Sequence, residues 1–269
     1  MEQEVLSRET TFHDEWAESV SPEFVQVDAL ENACTMPETR YIIQTIGKGN
    51  FAGKKILDIG CACGEASVYF AKQGAHVTAT DLSKGMVNLA QRVAEFHNVH
   101  LETVACSADD LPFDDDTFDI VYVANVMHHV DIEKTLPDIK RVLKPGGKFI
   151  SWDPVKYNPA INLYRKLATD VRTVDEHPID INYIRQVQKY FNNVRNKGFW
   201  LLTNLVFVKY YFIDKLDPSK VRYWKKVVSD AEEVKDFYLS WERIDKALLG
   251  IFPFLKWLCW NMVVIAEKY

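Results

Sequence analysis

The chain has 269 residues, an ordinary apolar content of 48% and a formal net charge of −6. That length can bury a large core as one domain with additions. The acidic balance excludes a general electrostatic attraction to nucleic acid or to an anionic membrane. Five cysteines lack zinc spacing: Cys61 and Cys63 are one residue apart, while Cys34, Cys106 and Cys259 are scattered. Free thiols in a reducing cytoplasm are the expectation. The opening Met1-Glu-Gln-Glu is acidic and polar, unlike a signal peptide, which agrees with a cytoplasmic location.

Residues 1–50 read as helical, with His13, Trp16 and Ala17 near one face, and are expected to form an N-terminal lid. The run Lys55-Ile-Leu-Asp-Ile-Gly-Cys-Ala-Cys-Gly64 then carries an apolar strand, 54–59, into a glycine turn. Gly60 allows close approach of the backbone to a ligand. A helix opening near Glu65 presents unpaired N–H groups at its start. The next strand, 76–81, ends at Asp81, about 20 residues beyond the turn, where such an α/β unit hydrogen-bonds a ribose diol. These features predict an adenosine-containing cofactor at the carboxyl ends of parallel strands. The turn has Ala62 at its middle position and no glycine three residues beyond Gly64, so it is not G-x-G-x-x-G. Pyrophosphate is thereby disfavoured, and a nicotinamide-dependent oxidoreductase is the lesser reading. Asp58, closing the first strand, would repel phosphate and suit an ammonium group.

Ser83 is a plausible N-cap for a helix reaching His97, and Met86, Leu89, Ala90 and Val93 follow helical spacing toward a sheet. Strands are expected at 99–105, 118–125 and 148–152, with a helix at 132–143. This alternation implies a parallel sheet covered on both faces. Residues 51–155 form the expected core, with helical insertions at 156–190 and 204–257 broken at Asp217-Pro218-Ser219. Aromatic density is high around Phe199-Trp200, Tyr210-Tyr211-Phe212 and Phe252 to Trp260. Lys209, Pro253 and Lys256 interrupt these stretches, and a membrane span needs about 20 apolar residues. Buried helices are expected, with monotopic membrane contact the lesser reading. Trp260-Asn-Met-Val-Val-Ile-Ala266, within 258–269, fits a final strand.

Taken in order, the Asp58–Gly64 turn, Asp81, Ser107-Ala-Asp-Asp-Leu-Pro-Phe113, Phe118–Asn125 and Leu143-Lys-Pro-Gly-Gly147 resemble class I S-adenosylmethionine-dependent methyltransferases of the small-molecule, type 11-like group. Their usual first motif is D-x-G-x-G-x-G, from which Ala62 departs. The resemblance covers roughly residues 45 to 155. It implies an α/β, Rossmann-like, seven-stranded and mostly parallel sheet with helices on both faces, helical lid insertions and a final antiparallel strand. It also implies S-adenosyl-L-methionine as cofactor and S-adenosyl-L-homocysteine as product. The residues it carries over are Asp58, Gly60, Cys61, Gly64, Asp81, Leu82, Met86, Ser107, Ala108 and Asn125. Ser107 stands where many relatives have an aspartate beside adenine; the Ala108 N–H is then the group available to a ring nitrogen.

Methyl transfer from a sulfonium is an in-line displacement in which the protein aligns the partners and excludes water. A hydroxyl acceptor also needs a base near neutral pKa. His128 and His129 follow the fourth strand, where related O-methyltransferases often place a base. His129 is preferred as nearer the turn, and Asp153 after the fifth strand can assist. The ordinary reading has one histidine packed on the sheet edge and the other capping a helix. Arg172-Thr-Val-Asp-Glu-His177-Pro178 offers a second site, since a residue before proline is held extended. Its ordinary reading is a loop stapled by Arg172 and the neighbouring acids. His13 is a third candidate. Asp109 and Asp110 read as a turn or cap, and no metal constellation is seen. Tyr157, Asn158, Tyr164, Phe199, Trp200 and Tyr211 are expected around a pocket. The predicted reaction is methyl transfer to a small, largely apolar or aromatic acceptor at oxygen. Lipid or quinone methylation at a membrane surface, N-methylation and a silent S-adenosylmethionine-binding protein are the alternatives. No nucleic-acid partner is expected, and the sequence carries no signal for oligomeric state.

Overall fold

The computed structural model describes residues 2–31, 36–167 and 177–269. Cys34 and the stretch from Arg172 to Glu176 lie outside the described residues. Seven strands form one sheet in the order β3-β2-β1-β4-β5-β7-β6. They are β1 (Lys55–Ile59), β2 (His76–Asp81), β3 (Glu102–Ala105), β4 (Phe118–Ala124), β5 (Leu143–Pro154), β6 (Asn192–Phe199) and β7 (Asn261–Glu267). The pairs within β3-β2-β1-β4-β5 are parallel, and β7 runs antiparallel to both β5 and β6.

The central strands are apolar on both faces because each face meets a helical layer. Alternate residues divide between the layers: Ile56, Tyr122, Trp152 and Val263 face one core, Leu57, Val121, Phe149 and Val264 the other. The first core is covered by α2 (Pro37–Ile46), α3 (Glu65–Lys72) and α4 (Lys84–Phe96), through side chains such as Ile42, Val68 and Leu89. The second is covered by α5 (Ile132–Val142) and α7 (Ile181–Tyr190), through Leu136, Ile139 and Val187.

A third cluster joins α6 (Pro159–Leu167), α8 (Leu205–Phe212), α9 (Tyr223–Ser229) and α10 (Ala231–Ile251) around Phe207, Tyr210, Tyr223 and Tyr238. Asp245 of α10 ties this cluster to the chain leaving β6. It accepts from the Leu201, Leu202 and Thr203 amides at 3.0, 2.7 and 3.2 Å and from the Thr203 hydroxyl at 2.9 Å. Among the described residues, no helix is long and apolar enough to cross a membrane.

The first fifty residues are helical with interruptions: α1 (Glu2–Glu18), two 3-10 turns at Pro22–Phe24 and Val27–Glu31, then α2. Helix α1 is fastened across the start of α4. Asp14 Oδ1 accepts from the Ser83 hydroxyl at 2.5 Å and from the Gly85 amide at 2.9 Å. Ser83 caps α4 as expected, its oxygen accepting from the Met86 amide at 3.0 Å.

Gly64, at the N-cap of α3, has φ +86°, and a Cβ there would stand 2.9 Å from the Ala90 Cα of α4. Gly64→Ala therefore combines left-handed strain with a backbone collision between two helices. The expected loss is roughly 2–4 kcal/mol in urea unfolding at pH 7. A variant within 0.5 kcal/mol of wild type, as at sites without strain or collision, would contradict this packing.

Candidate active site

A cleft of about 770 Å³ lies at the carboxyl ends of the strands, between the sheet, α1 and the helices of the third cluster. The size suits a small-molecule site. Its floor begins with the turn after β1. Ala62 adopts φ +47°, a left-handed conformation that a glycine would take without strain. Gly60 has φ +71°, and a Cβ there would lie 2.2 Å from Val126 Cγ2. The glycine thus admits a neighbouring valine as well as a curved backbone.

Asp81, buried at the end of β2, holds this turn in place. One carboxylate oxygen accepts from the Ala62 amide at 3.0 Å and the other from the Ser83 amide at 2.9 Å. Burial pushes its pKa up, against these hydrogen bonds. Asp58 is also buried at the cleft and accepts from the Ser67 hydroxyl at 2.6 Å. Burial, with Glu65 and Asp81 adding repulsion, pushes its carboxyl to about 7. Three acids around one turn make a poor cradle for pyrophosphate and a suitable one for a cationic ligand carrying a diol. The residues present therefore fit a sulfonium cofactor. Lys225 of α9 reaches the same region: its ammonium lies 3.7 Å from the Trp16 ring centroid, so α9 rests on α1 there. Burial and nearby Arg222 pull it down to about 8.

Of the other cofactor residues expected from the sequence, Cys61, Leu82, Ser107, Ala108 and Asn125 border the cleft. Asn125 has φ +56°, turning the chain out of β4. Met86 is fully buried in the first core, and Gly64 packs against α4; neither borders the cleft.

The histidine pair follows that turn. His128 is nearly buried, and its Nδ1 lies 2.8 Å from Asp153 Oδ1, which also accepts from the His128 amide at 3.3 Å. His129 is exposed, with its ring centroid 4.0 Å from that of His128. Both rings border the cleft, whereas Asp153 sits fully buried behind His128. Burial raises the Asp153 carboxyl, while the His128 amide and the nearby His129 ring favour its charged form. His177 is exposed and does not border the cleft; its amide donates to the His128 carbonyl at 2.8 Å. His13 borders the cleft from α1, its ring beside Trp16. Among the described residues, no group of three or more His, Cys, Asp or Glu side chains is placed to hold a metal ion.

The structure adds residues that the sequence reading passed over. Glu38 of α2 and Asn261, the first residue of β7, border the cleft opposite the glycine turn, joined by a 2.8 Å hydrogen bond. Trp152 and Trp260 line the same side, beside Trp200, which the sequence reading expected there. Glu38 is spaced i, i+4 with Ile42 and Ile46, which places it on the buried face of α2. That period was the available signal.

The mostly parallel sheet, with an acid ending β2 beside a left-handed turn after β1, defines a Rossmann-like nucleoside-cofactor fold. Comparison with known proteins narrows the class. Residues 57–151 match the family model described as a methyltransferase domain. The demethylmenaquinone methyltransferase of Clavibacter sepedonicus is 41% identical over 100 residues, 37% of this chain and 40% of that one. The fatty-acid O-methyltransferase of Mycolicibacterium smegmatis is 27% identical over 69% of this chain and 64% of its own length. This chain thus spans less than two thirds of either relative. Among solved structures, a geranyl diphosphate C-methyltransferase from Streptomyces coelicolor A3(2) superposes with TM-score 0.56 at 15% identity, covering 86% of this chain and 76% of that one. A protein from Pyrococcus horikoshii OT3 superposes with TM-score 0.56 at 15% identity, covering 93% and 97%. Residues 57–151 are thus a methyltransferase domain of the S-adenosylmethionine-dependent kind.

The buried acids make stability depend on pH. Glu38 is pushed from the ordinary carboxylate range to about 7 by burial, against its bond from Asn261. An acid raised in the folded state favours folding fully below its unfolded pKa, and that contribution is lost as pH rises through about 7. Between pH 5.5 and 8 the wild type should therefore lose on the order of 2 kcal/mol more stability than Glu38→Gln. Urea melts at the two pH values measure this, and an equal loss in both proteins would remove Glu38 as the source.

Proposed function

We propose that this chain transfers the methyl group of S-adenosylmethionine to an oxygen atom of a small acceptor with a largely apolar or aromatic body. The observation that carries the reading is Asp81. Its carboxylate fastens the glycine turn through two amides at the cleft wall, and each oxygen has a second lone pair to offer a ribose hydroxyl. Asp58 and Gly60 flank the amino-acid end of the cofactor, while Ser107 and Ala108 flank adenine. When bound, the cofactor supplies an electrophilic methyl group.

His128 serves as the general base in this reading. Asp153 fixes its ring through Nδ1, so with the shared proton on Nδ1 the other nitrogen, Nε2, takes the acceptor's proton. Asp153 is a positioning residue, since it stands behind the ring. His129 packs against His128 and closes the edge of the cleft. The indole-rich wall formed by Trp152, Trp200 and Trp260 favours an apolar acceptor. The names of relatives point the same way: demethylmenaquinone, sterol and fatty-acid methyltransferases all refer to apolar acceptors. Helix α1 forms the lid, and α6 and α9, held by α8 and α10, form the acceptor cap, whereas α7 of the expected 156–190 insertion packs on the second core instead.

Calorimetry with S-adenosylhomocysteine tests the cofactor half. Wild type should bind it, and Asp81→Ala should bind at least tenfold more weakly; a wild type that takes up none would end the proposal. The catalytic half is read by S-adenosylhomocysteine release with a phenol, a hydroquinone and a long-chain carboxylic acid as acceptors. With any acceptor turned over, His128→Ala should lower kcat by roughly 10²-fold or more. Asp153→Asn should lower kcat and displace its pH profile while leaving cofactor affinity intact. Undiminished kcat in His128→Ala would refute the base assignment.

A further inference from the structure

The carboxyl of Glu38 is the least explained polar group in the cleft. It is 2% exposed. It lies on the first turn of α2, where the helix start favours negative charge. Its bonding partner is Asn261 at 2.8 Å, and the Trp200 indole N–H also supports its charged form. No cationic side chain among the described residues acts on it: Arg40, two residues along, is engaged with Glu242 at 2.5 Å. Neither the cofactor turn nor the His128 base uses it. Buried acids are ordinarily paired with a cation. Here the group facing Glu38 across the cleft wall is space bordered by Trp152, Trp200 and Trp260. Indole rings around a carboxylate are surroundings in which an ammonium group can be bound.

Position in the sheet decides which ligand this is. Asn261 begins β7, opposite Pro154 at the end of β5. The cofactor turn and Asp81 belong to β1 and β2, and β4 and β5 intervene. At about 4.8 Å per strand, Glu38 and Asn261 stand roughly 14 Å from the β1 turn and one or two strand spacings from the His128 corner. That is too far for the amino-acid end of a cofactor held on β1, and it matches the far end of an acceptor whose reacting atom is at His128.

We propose that Glu38, oriented by Asn261 and walled by Trp152, Trp200 and Trp260, binds an ammonium group carried by the acceptor. The acceptor class is then an amine on an aromatic or apolar body, with its hydroxyl roughly 5–10 Å from the nitrogen. Glu38 is a specificity residue and takes no part in the methyl transfer. The inference rests on the methyltransferase reading above, because it assumes that the β1–β2 half of the cleft belongs to the cofactor.

The test uses two probes of the same shape on protein saturated with S-adenosylhomocysteine: tyramine, which has a phenol and an ammonium group, and tyrosol, in which a hydroxyl replaces the amine. Calorimetry should show wild type binding tyramine at least tenfold more tightly than tyrosol. Glu38→Gln, which keeps the shape and the hydrogen bond from Asn261, should erase that preference with S-adenosylhomocysteine affinity and cooperative unfolding retained. Equal affinity of wild type for the two probes, or no tyramine binding, overturns the proposal without any variant. A preference that survives in Glu38→Gln overturns the assignment to Glu38. Failure of S-adenosylhomocysteine itself to bind is a separate result, which removes the cofactor reading and this inference with it.

Discussion

The arrangement of the site depends on one carboxylate holding two backbone amides. Asp81 ends β2, and its oxygens take the amides of Ala62, in the turn after β1, and of Ser83, at the start of α4. Parallel neighbours alone would bring the ends of β1 and β2 together, but they would leave the turn free to point elsewhere. The two bonds make the turn, the strand end and the helix start one rigid corner. Asp14 extends that corner to α1 by taking the Ser83 hydroxyl and the Gly85 amide. Helix α1 is thereby joined to the cleft wall through a residue that does not itself border the cleft. Charge-assisted bonds of this kind are shorter and stronger than neutral ones, which suits a corner that must hold Ala62 in a left-handed conformation against its preference.

The cleft is electrically divided. Asp58, Glu65 and Asp81 surround the first turn, and the raised position of Asp58 follows from burial beside its own kind. Such a corner stores unfavourable energy that a cationic ligand relieves, so binding and ionisation are coupled. Farther along the sheet the polar groups are arranged differently. His128 is backed by Asp153, so its ring is oriented before any acceptor arrives. Preorganisation of this sort is the protein's share of a displacement whose reactive group belongs to the cofactor.

The sequence reading reached most of this because the core obeys strong local rules. Apolar runs ending in Gly60 or Asp81, and helical spacing at Met86, Leu89, Ala90 and Val93, located β1, β2 and α4 closely. The strand β6 escaped because Asn-Asn-Val-Arg-Asn-Lys-Gly-Phe is polar; it is an edge strand paired only to β7, and half of its residues are exposed. Edge strands carry little hydrophobic period for this reason. The resemblance, not the spacing, misleads at Met86, which it carries over as a cofactor residue. Met86 has the helical period of a sheet-facing residue, and that is where it lies, beneath α4 and away from the cleft. Glu38 carries no motif signal, because motifs of this fold lie in loops after strands, whereas this acid belongs to α2. The pairing of Glu38 with Asn261 spans 223 positions, a separation that no local pattern reports.

The long separation is itself informative about how the site is assembled. The corner at Asp81 is made by residues close in sequence, from Asp58 to Gly85. In the proposed reading the acceptor side is made by α2, the end of β5, the loop after β6 and the start of β7, which are far apart in sequence. Trp200 and Trp260 also belong to the aromatic packing that joins the helical cap to the sheet, with ring centroids 5.8 Å apart. A substitution in that packing would therefore move the acceptor wall before it moved the cofactor corner. Acceptor choice can then change through cap residues while the turn after β1 stays as it is. This division is the physical reason that a fold of this kind defines its cofactor more tightly than its acceptor.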